Sequence, residues 1–274
     1  MQELTGRTAV VTGAASGIGR ALARRFGAEG MNVVLADIED APLAGATESL
    51  AADGVEVLAV PTDVRDADAL DHLARVSIER FGTVHLLCNN AGVGGGGPMH
   101  ELAIADWKWV LDVNLNGVVN GIHAFLPHLY AHGEAAHVVN TASMAGWFGW
   151  PGMGPYCASK FAVVGLSECL FHETRGTNVG VSVLCPGWVD TNIADSGRNR
   201  PGAPQGAITG STEGAELVRQ LISNGLAPAV VADAVVDAIR SDRFWVLTHP
   251  DMAAGARGRL EGALAGRNPG ELAG

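Results

Sequence analysis

Cysteine is sparse. Cys88, Cys157, Cys169 and Cys185 are the only four in 274 residues, and they have neither C-x-x-C spacing nor the density of a disulfide scaffold. They are expected to be small buried residues in a reducing compartment. Positive charge is also short: 18 Lys and Arg stand against 29 Asp and Glu, a net charge of -11, with no basic cluster. A nucleic-acid partner is therefore excluded, because binding a phosphate backbone depends on grouped Lys and Arg. No apolar run reaches the about 18 residues needed to span a bilayer, so no membrane partner is expected. The first residues carry Glu3 and no apolar leader segment, which points to a cytoplasmic protein. His128 and His132 share a helix face, but no third ligand stands at metal spacing; they read as solvated, and no metal is expected.

Apolar residues make up 47% of the chain and spread along its length, as one large folded core requires. Glycine is in excess, 37 in all, which implies tight connections or a ligand lying against main chain. Short apolar runs at 8–11, 33–36, 55–60, 84–88, 136–140, 179–184 and 244–247 alternate with helical periods, notably at 105–131 and 156–175. Several of these runs are continuous rather than alternating in polarity, as in strands buried on both faces. This rhythm predicts an α/β fold, a parallel sheet wrapped by helices on both sides. Two regions are irregular: 188–228, punctuated by Gly and Pro with a helix at about 213–223, and a Gly, Ala and Arg-rich tail at 250–274. The tail reads as loosely held or as an arm to another subunit.

The first strand runs into Gly13, Ser16, Gly17, Ile18 and Gly19 and then a helical pattern. A glycine turn opening a helix leaves backbone N–H groups facing outward, and the helix dipole favours a pyrophosphate there. Asp37 follows 24 positions after Gly13, at the end of the second run, where a carboxylate accepts both ribose hydroxyls and repels a 2′-phosphate. NAD is thus expected over NADP, the more so since neither Ser16 nor Ile38 supplies positive charge. Asp40 is the better candidate for the next helix's N-cap. Tyr156 and Lys160 stand at i and i+4 on one helix face. A phenol of ordinary pKa about 10 is a poor base at neutral pH, and a neighbouring ammonium favours its ionised form.

With Asp63 and Val64, the run Asn89, Asn90, Ala91 and Gly92, then Asn114, Ser143 and the stretch Pro186, Gly187, Trp188, Val189, Asp190 and Thr191, these motifs stand in an order that resembles the short-chain dehydrogenase/reductase family over about residues 5–190. The resemblance implies a single-domain, doubly wound Rossmann fold over 1–274, with seven parallel strands in the order 3-2-1-4-5-6-7. It implies that Tyr156 exchanges a proton with the substrate oxygen, Ser143 hydrogen-bonds that oxygen, Lys160 lowers the Tyr156 pKa and binds the nicotinamide ribose, and Asn114 holds a relay water. It further implies cofactor contacts from Gly13, Ser16, Gly17, Ile18, Gly19, Asp37, Asp63, Val64, Asn90, Ala91, Gly92, Tyr156, Lys160, Pro186, Gly187, Val189 and Thr191.

Substrate in such a fold lies beyond the carboxyl ends of the strands. The loops there carry Met144, Trp147, Phe148, Trp150, Met153 and Trp188, bulky groups suited to an apolar or aromatic alcohol or ketone. Residues 94–97, all glycine, read as a loop at the mouth of the site. The expected activity is NAD-dependent interconversion of a secondary alcohol and a ketone. The alternatives are an NADPH-dependent 3-ketoacyl reductase and a non-catalytic dinucleotide-binding sensor. The resemblance implies a homotetramer or dimer assembled through 105–131, 156–175 and the last strand.

Overall fold

β-branched and leucine side chains form the strands because both faces of each are covered. In the computed structural model, which describes residues 1–202 and 212–270, β1 (Thr8–Thr12) leads to α1 (Gly17–Ala28), β2 (Asn32–Asp37), α2 (Asp40–Ala52), β3 (Val57–Pro61), α3 (Ala67–Phe81) and β4 (Leu86–Asn89). The second half holds α4 (Ile104–Leu111), α5 (Gly117–Ala131), β5 (Ala136–Thr141), α6 (Gly154–Glu173), β6 (Val179–Cys185), α7 (Thr212–Ser223), α8 (Pro228–Arg240), β7 (Trp245–Leu247) and α9 (Pro250–Leu264). The strands pair in parallel in the order 3-2-1-4-5-6-7, as expected. No helix among the described residues is long and apolar enough to cross a membrane.

Alternate residues of each strand feed two cores. Val11, Val33, Leu35 and Leu86 pack with α1, α2 and α8 through Leu22, Phe26, Leu50 and Val235. Val10, Val34, Leu87 and Val138 pack with α3, α5 and α6 through Leu73, Phe125 and Leu170. Each large side chain buried this way contributes roughly 2 kcal/mol. A polar chain also crosses the second layer: Asn89 Nδ2 donates to Asn140 Oδ1 at 2.9 Å, and Asn140 Nδ2 donates to Ser167 Oγ at 3.0 Å. Because these groups are buried, an unmade bond is costly, and α6 is held in one register against β4 and β5.

Several expectations are corrected. The helix expected at 105–131 is broken by a π turn at Asp112–Asn116, whose centre is Asn114. Of the irregular region 188–228, residues 192–199 form a 3-10 segment, and 203–211, with Pro204, Gly206 and Gly210, lie outside the described residues. The tail is α9 rather than a loose end, and only 271–274 lie outside the described residues. Asp40 is the first residue of α2, and Glu39 holds the N-cap position. Cys169 is exposed, whereas the other three cysteines are buried. His132 is half-buried, its ring 5.3 Å from that of His85, whereas His128 is exposed as expected.

Candidate active site

A cavity of about 730 Å³ opens beyond the ends of β1 and β4, where the strand order reverses. Gly13 sits at its floor with φ of 67°. A Cβ there would lie 2.8 Å from Ala91 Cα, so only glycine allows β1 and β4 to converge under the turn. The turn opens α1, whose N-cap residue Ser16 makes no side-chain cap bond; the first-turn N–H groups stay directed outward. Ser16, Gly17 and Ile18 line the cavity, while Gly19 lies beneath it against the Gly13 carbonyl. This cradle fits a pyrophosphate on both counts, an unobstructed approach and a positive helix end.

Asp37 stands at the next strand end. Its Oδ2 accepts the Ala15 N–H at 2.9 Å and its Oδ1 the Glu39 N–H at 3.1 Å, bonds that pull its pKa down against the larger upward effect of burial. The carboxylate lines the cavity and retains acceptor capacity for a hydroxyl donor. Asp63, Val64, Asn90, Ala91 and Gly92 line the same end. Sequence reasoning missed three arginines there, and each is ion-paired. Arg65 lies 2.6 Å from Asp63, Arg198 2.6 Å from Glu39, and Arg219 3.6 Å from Asp195. Arg65 was discernible beside its acid; Arg198 pairs with a residue 159 positions away, for which a linear pattern gives no signal.

At the opposite end α6 presents Tyr156 and Lys160, held by the inner-face series Val163, Ser167 and Leu170. Lys160 is 3% exposed; its Nζ donates to the Thr141 carbonyl at 2.9 Å and lies 5.6 Å from the Tyr156 ring centre. Burial pushes the Lys160 pKa down to about 8, which leaves it a cation at neutral pH. Burial raises that of Tyr156, and the Ser143 hydroxyl acts in the opposite direction. Burial dominates at Tyr156, and the tyrosine rests as a neutral phenol. Ser143 Oγ donates to the Pro186 carbonyl at 3.3 Å and accepts the Ala145 N–H at 3.1 Å. Two hydroxyls and an ammonium converging at one wall can hold a carbonyl oxygen and give it a proton.

Asn114 does not line the cavity. It is fully buried behind the wall, where Oδ1 accepts the Val93 N–H at 2.8 Å and Nδ2 donates to the Val93 carbonyl at 3.0 Å and to Ser159 Oγ at 3.2 Å. Its side chain thus ties the π turn to α6, and such turns recur where a helix must reposition a group. Pro186, Gly187, Val189 and Thr191 line the cavity after β6, and Met144, Trp150, Met153 and Trp188 form its apolar side. Trp150 and Trp188 meet edge to face with ring centres 6.1 Å apart. Trp147 and Phe148 are the exceptions among the expected pocket residues: neither lines the cavity, the Trp147 ring packing 5.0 Å from that of Trp245 and Phe148 joining a buried core cluster. Met252, from the tail whose role sequence left open, lines the cavity instead.

The sequence pattern of the short chain dehydrogenase family matches residues 7–201. The chain belongs to that family. It is a short-chain dehydrogenase enzyme, and its relatives cover most of its length. The 1-deoxy-11-beta-hydroxypentalenate dehydrogenase of Streptomyces avermitilis is 41% identical over 246 residues, 89% of this chain and 85% of that protein. A short-chain dehydrogenase/reductase of Burkholderia phymatum, solved in complex with NAD, superposes with a TM-score of 0.96 at 43% identity and covers 100% of both chains. An actinorhodin polyketide ketoreductase solved with NADPH gives a TM-score of 0.77 at 34% identity, over 90% of this chain and 97% of its own. The enzymes of this family use a nicotinamide dinucleotide, and one cavity of this chain holds both the Gly13 turn with Asp37 and the Ser143, Tyr156 and Lys160 side chains.

Proposed function

We propose that this short-chain dehydrogenase interconverts a bulky apolar or aromatic secondary alcohol and its ketone, with NAD as hydride carrier. The observation that carries the reading is the placement of Ser143, Tyr156 and Lys160 on one wall of a cavity whose other end is the Gly13 turn and Asp37. The dinucleotide supplies or accepts a hydride; the chain's residues do the rest. Gly13, Ser16, Gly17 and Ile18 seat the pyrophosphate, with Gly19 beneath them. Asp37 takes the adenosine ribose hydroxyls, and Asp63, Val64, Asn90, Ala91 and Gly92 shape the adenosine side. Pro186, Gly187, Val189 and Thr191 seat the nicotinamide end.

Tyr156, resting as a phenol, gives its proton to the oxygen in reduction and takes it back in oxidation. Ser143 hydrogen-bonds the same oxygen and fixes its distance from the tyrosine. Lys160, cationic below about pH 8, stabilises the tyrosinate that proton loss leaves and binds the nicotinamide ribose. Asn114 holds the π turn, and through it the wall behind Lys160. Met144, Trp150, Met153 and Trp188 exclude water from an apolar substrate body.

NAD is favoured because the carboxylate of Asp37 repels a 2′-phosphate, while Arg65, Arg198 and Arg219 are each already neutralised by an acid. The whole chain acts as one domain in the cytoplasm and assembles as a homotetramer. Exposed apolar side chains on α4 and α5, Ile104 and Val119, and on the edge strand, Leu247, support that assembly. Light scattering that gives a monomer at micromolar concentration rejects the tetramer.

The deciding experiment follows reduced-cofactor absorbance with NAD and NADP against matched secondary alcohols and ketones, from small aliphatic to diaryl. Turnover of bulky aryl members with NAD is the expected result. Preference for NADP with acyl thioesters establishes the ketoacyl reductase alternative, and NAD binding without any turnover the sensor.

A further inference from the structure

The loop after β6 is held from outside by a residue that none of the motifs contains. His249 ends the segment that follows β7, and its ring lies against Gly187 and Trp188. Nδ1 accepts the Gly187 N–H at 3.0 Å and also meets Thr248 Oγ1 at 2.9 Å, and Nε2 meets the Trp188 carbonyl at 3.0 Å. A backbone N–H only donates and a carbonyl only accepts, so one tautomer satisfies every contact: neutral imidazole with its proton on Nε2. Close approach is built in. A Cβ on Gly187 would lie 2.8 Å from His249 Cγ and 2.5 Å from Met252 Sδ, so glycine at this position is what admits both side chains.

The Gly187 N–H and the Pro186 carbonyl belong to one planar peptide group. That carbonyl accepts Ser143 Oγ at 3.3 Å and the Met144 N–H at 2.8 Å. His249 therefore grips one edge of the peptide plane whose other edge orients Ser143. The next residue is gripped as well: the Trp188 carbonyl takes both Nε2 of His249 and the Leu226 N–H, the latter at 2.9 Å. Leu226 holds the loop from one side with backbone, and His249 holds it from the other with a single side chain.

We infer that His249 is a positioning residue: it fixes the Pro186–Gly187 peptide, and through it both the Ser143 hydroxyl and the seat of the nicotinamide end. The tail thereby becomes part of the site, with Met252 as wall and His249 as clamp. This rests on the reading above that Ser143 meets the substrate oxygen and that the loop seats the nicotinamide.

The test uses the full-length enzyme as wild type, His249→Ala, His249→Asn and His249→Gln. Asparagine puts an acceptor oxygen where Nδ1 stands; glutamine puts a donor nitrogen where Nε2 stands. Three quantities are read: amide hydrogen exchange over 186–191, affinity for NADH against ADP-ribose by calorimetry, and kcat and KM for an aryl alcohol. ADP-ribose lacks the nicotinamide and reports only the other end of the cradle.

In His249→Ala, exchange over 186–191 is expected to quicken and NADH affinity to fall about tenfold, the size of one lost hydrogen bond. ADP-ribose affinity stays unchanged, and kcat falls about tenfold with little change in KM. Asparagine restores protection and most of kcat; glutamine restores less. Unchanged exchange, equal losses of NADH and ADP-ribose binding, or an asparagine variant no better than alanine overturns the inference. If the wild type turns over no alcohol, the proposed function fails, while exchange and the NADH to ADP-ribose ratio still decide the role of His249.

Discussion

Lys160 Nζ donates to the Thr141 carbonyl at 2.9 Å, which ties the cation of α6 to the last residue of β5. The bond satisfies one of three ammonium protons in a site that is 3% exposed. Burial of that charge has a thermodynamic signature.

Burial lowers the Lys160 pKa from 10.5 to about 8. Between those values the unfolded chain holds a proton that the native state does not, so this residue makes stability rise with pH from about 8 to 10.5. Below pH 8 the buried charge costs roughly 3 kcal/mol relative to a neutral amine. Lys160→Met removes the linkage. Urea unfolding of the two proteins should place the variant at its greatest relative advantage at pH 7 and show that advantage shrinking toward pH 10.5. A difference independent of pH contradicts the assignment.

Tyr156→Phe deletes one hydroxyl at a half-buried position and leaves the cradle at Gly13 intact. Turnover should fall by about 10³-fold, within the range of a lost general acid. NADH affinity should stay within about twofold, because in the proposed function the hydroxyl serves proton transfer rather than the main binding contacts. Residual activity within about tenfold of wild type transfers the proton role to another group.

What could be read along the chain was what short spacing fixes. Gly13, Gly17 and Gly19 span one turn, Tyr156 and Lys160 one helical repeat, and continuous apolar runs marked strands buried on both faces; the strand order followed from family resemblance. Side-chain direction was not readable. Trp147 and Trp150 stand three apart, yet one packs on Trp245 and the other faces the cavity, because a 3-10 turn at Met144–Gly146 sets the direction of the chain that follows. Pairings across the fold were equally silent: Arg198 with Glu39, and His249 with Gly187, 62 residues away. Asn114 was found by its motif, but its place in a π turn behind the wall depends on hydrogen bonds to Val93 that no spacing encodes.

The proposed preference for NAD rests on Asp37 and on the neutralisation of Arg198. Asp37→Asn keeps the shape and an acceptor for Ala15 but removes the charge, and should weaken NAD use by about tenfold in kcat/KM while admitting NADP. Adding Glu39→Gln releases Arg198 from its partner at 2.6 Å, which places an unpaired guanidinium by the adenosine ribose. The double variant should prefer NADP over NAD. If it retains the NAD preference of the wild type, discrimination lies elsewhere in the cradle.

Two tryptophans, Trp147 and Trp188, should separate stability from specificity. Trp147 packs on Trp245 outside the cavity, whereas Trp188 lines it and meets Trp150 edge to face. Trp147→Ala should lower unfolding free energy by roughly 2 kcal/mol, less than a fully buried ring because Trp147 is only half-buried. Its KM for an aryl ketone should remain within about twofold. Trp188→Ala should do the reverse, with KM about tenfold higher for aryl substrates and near wild-type stability, since its backbone stays held by Leu226 and His249. Small aliphatic ketones, which do not reach the ring, should show no such rise. A Trp188 variant that loses aryl and aliphatic turnover equally would mean that the ring shapes the nicotinamide seat rather than the substrate wall.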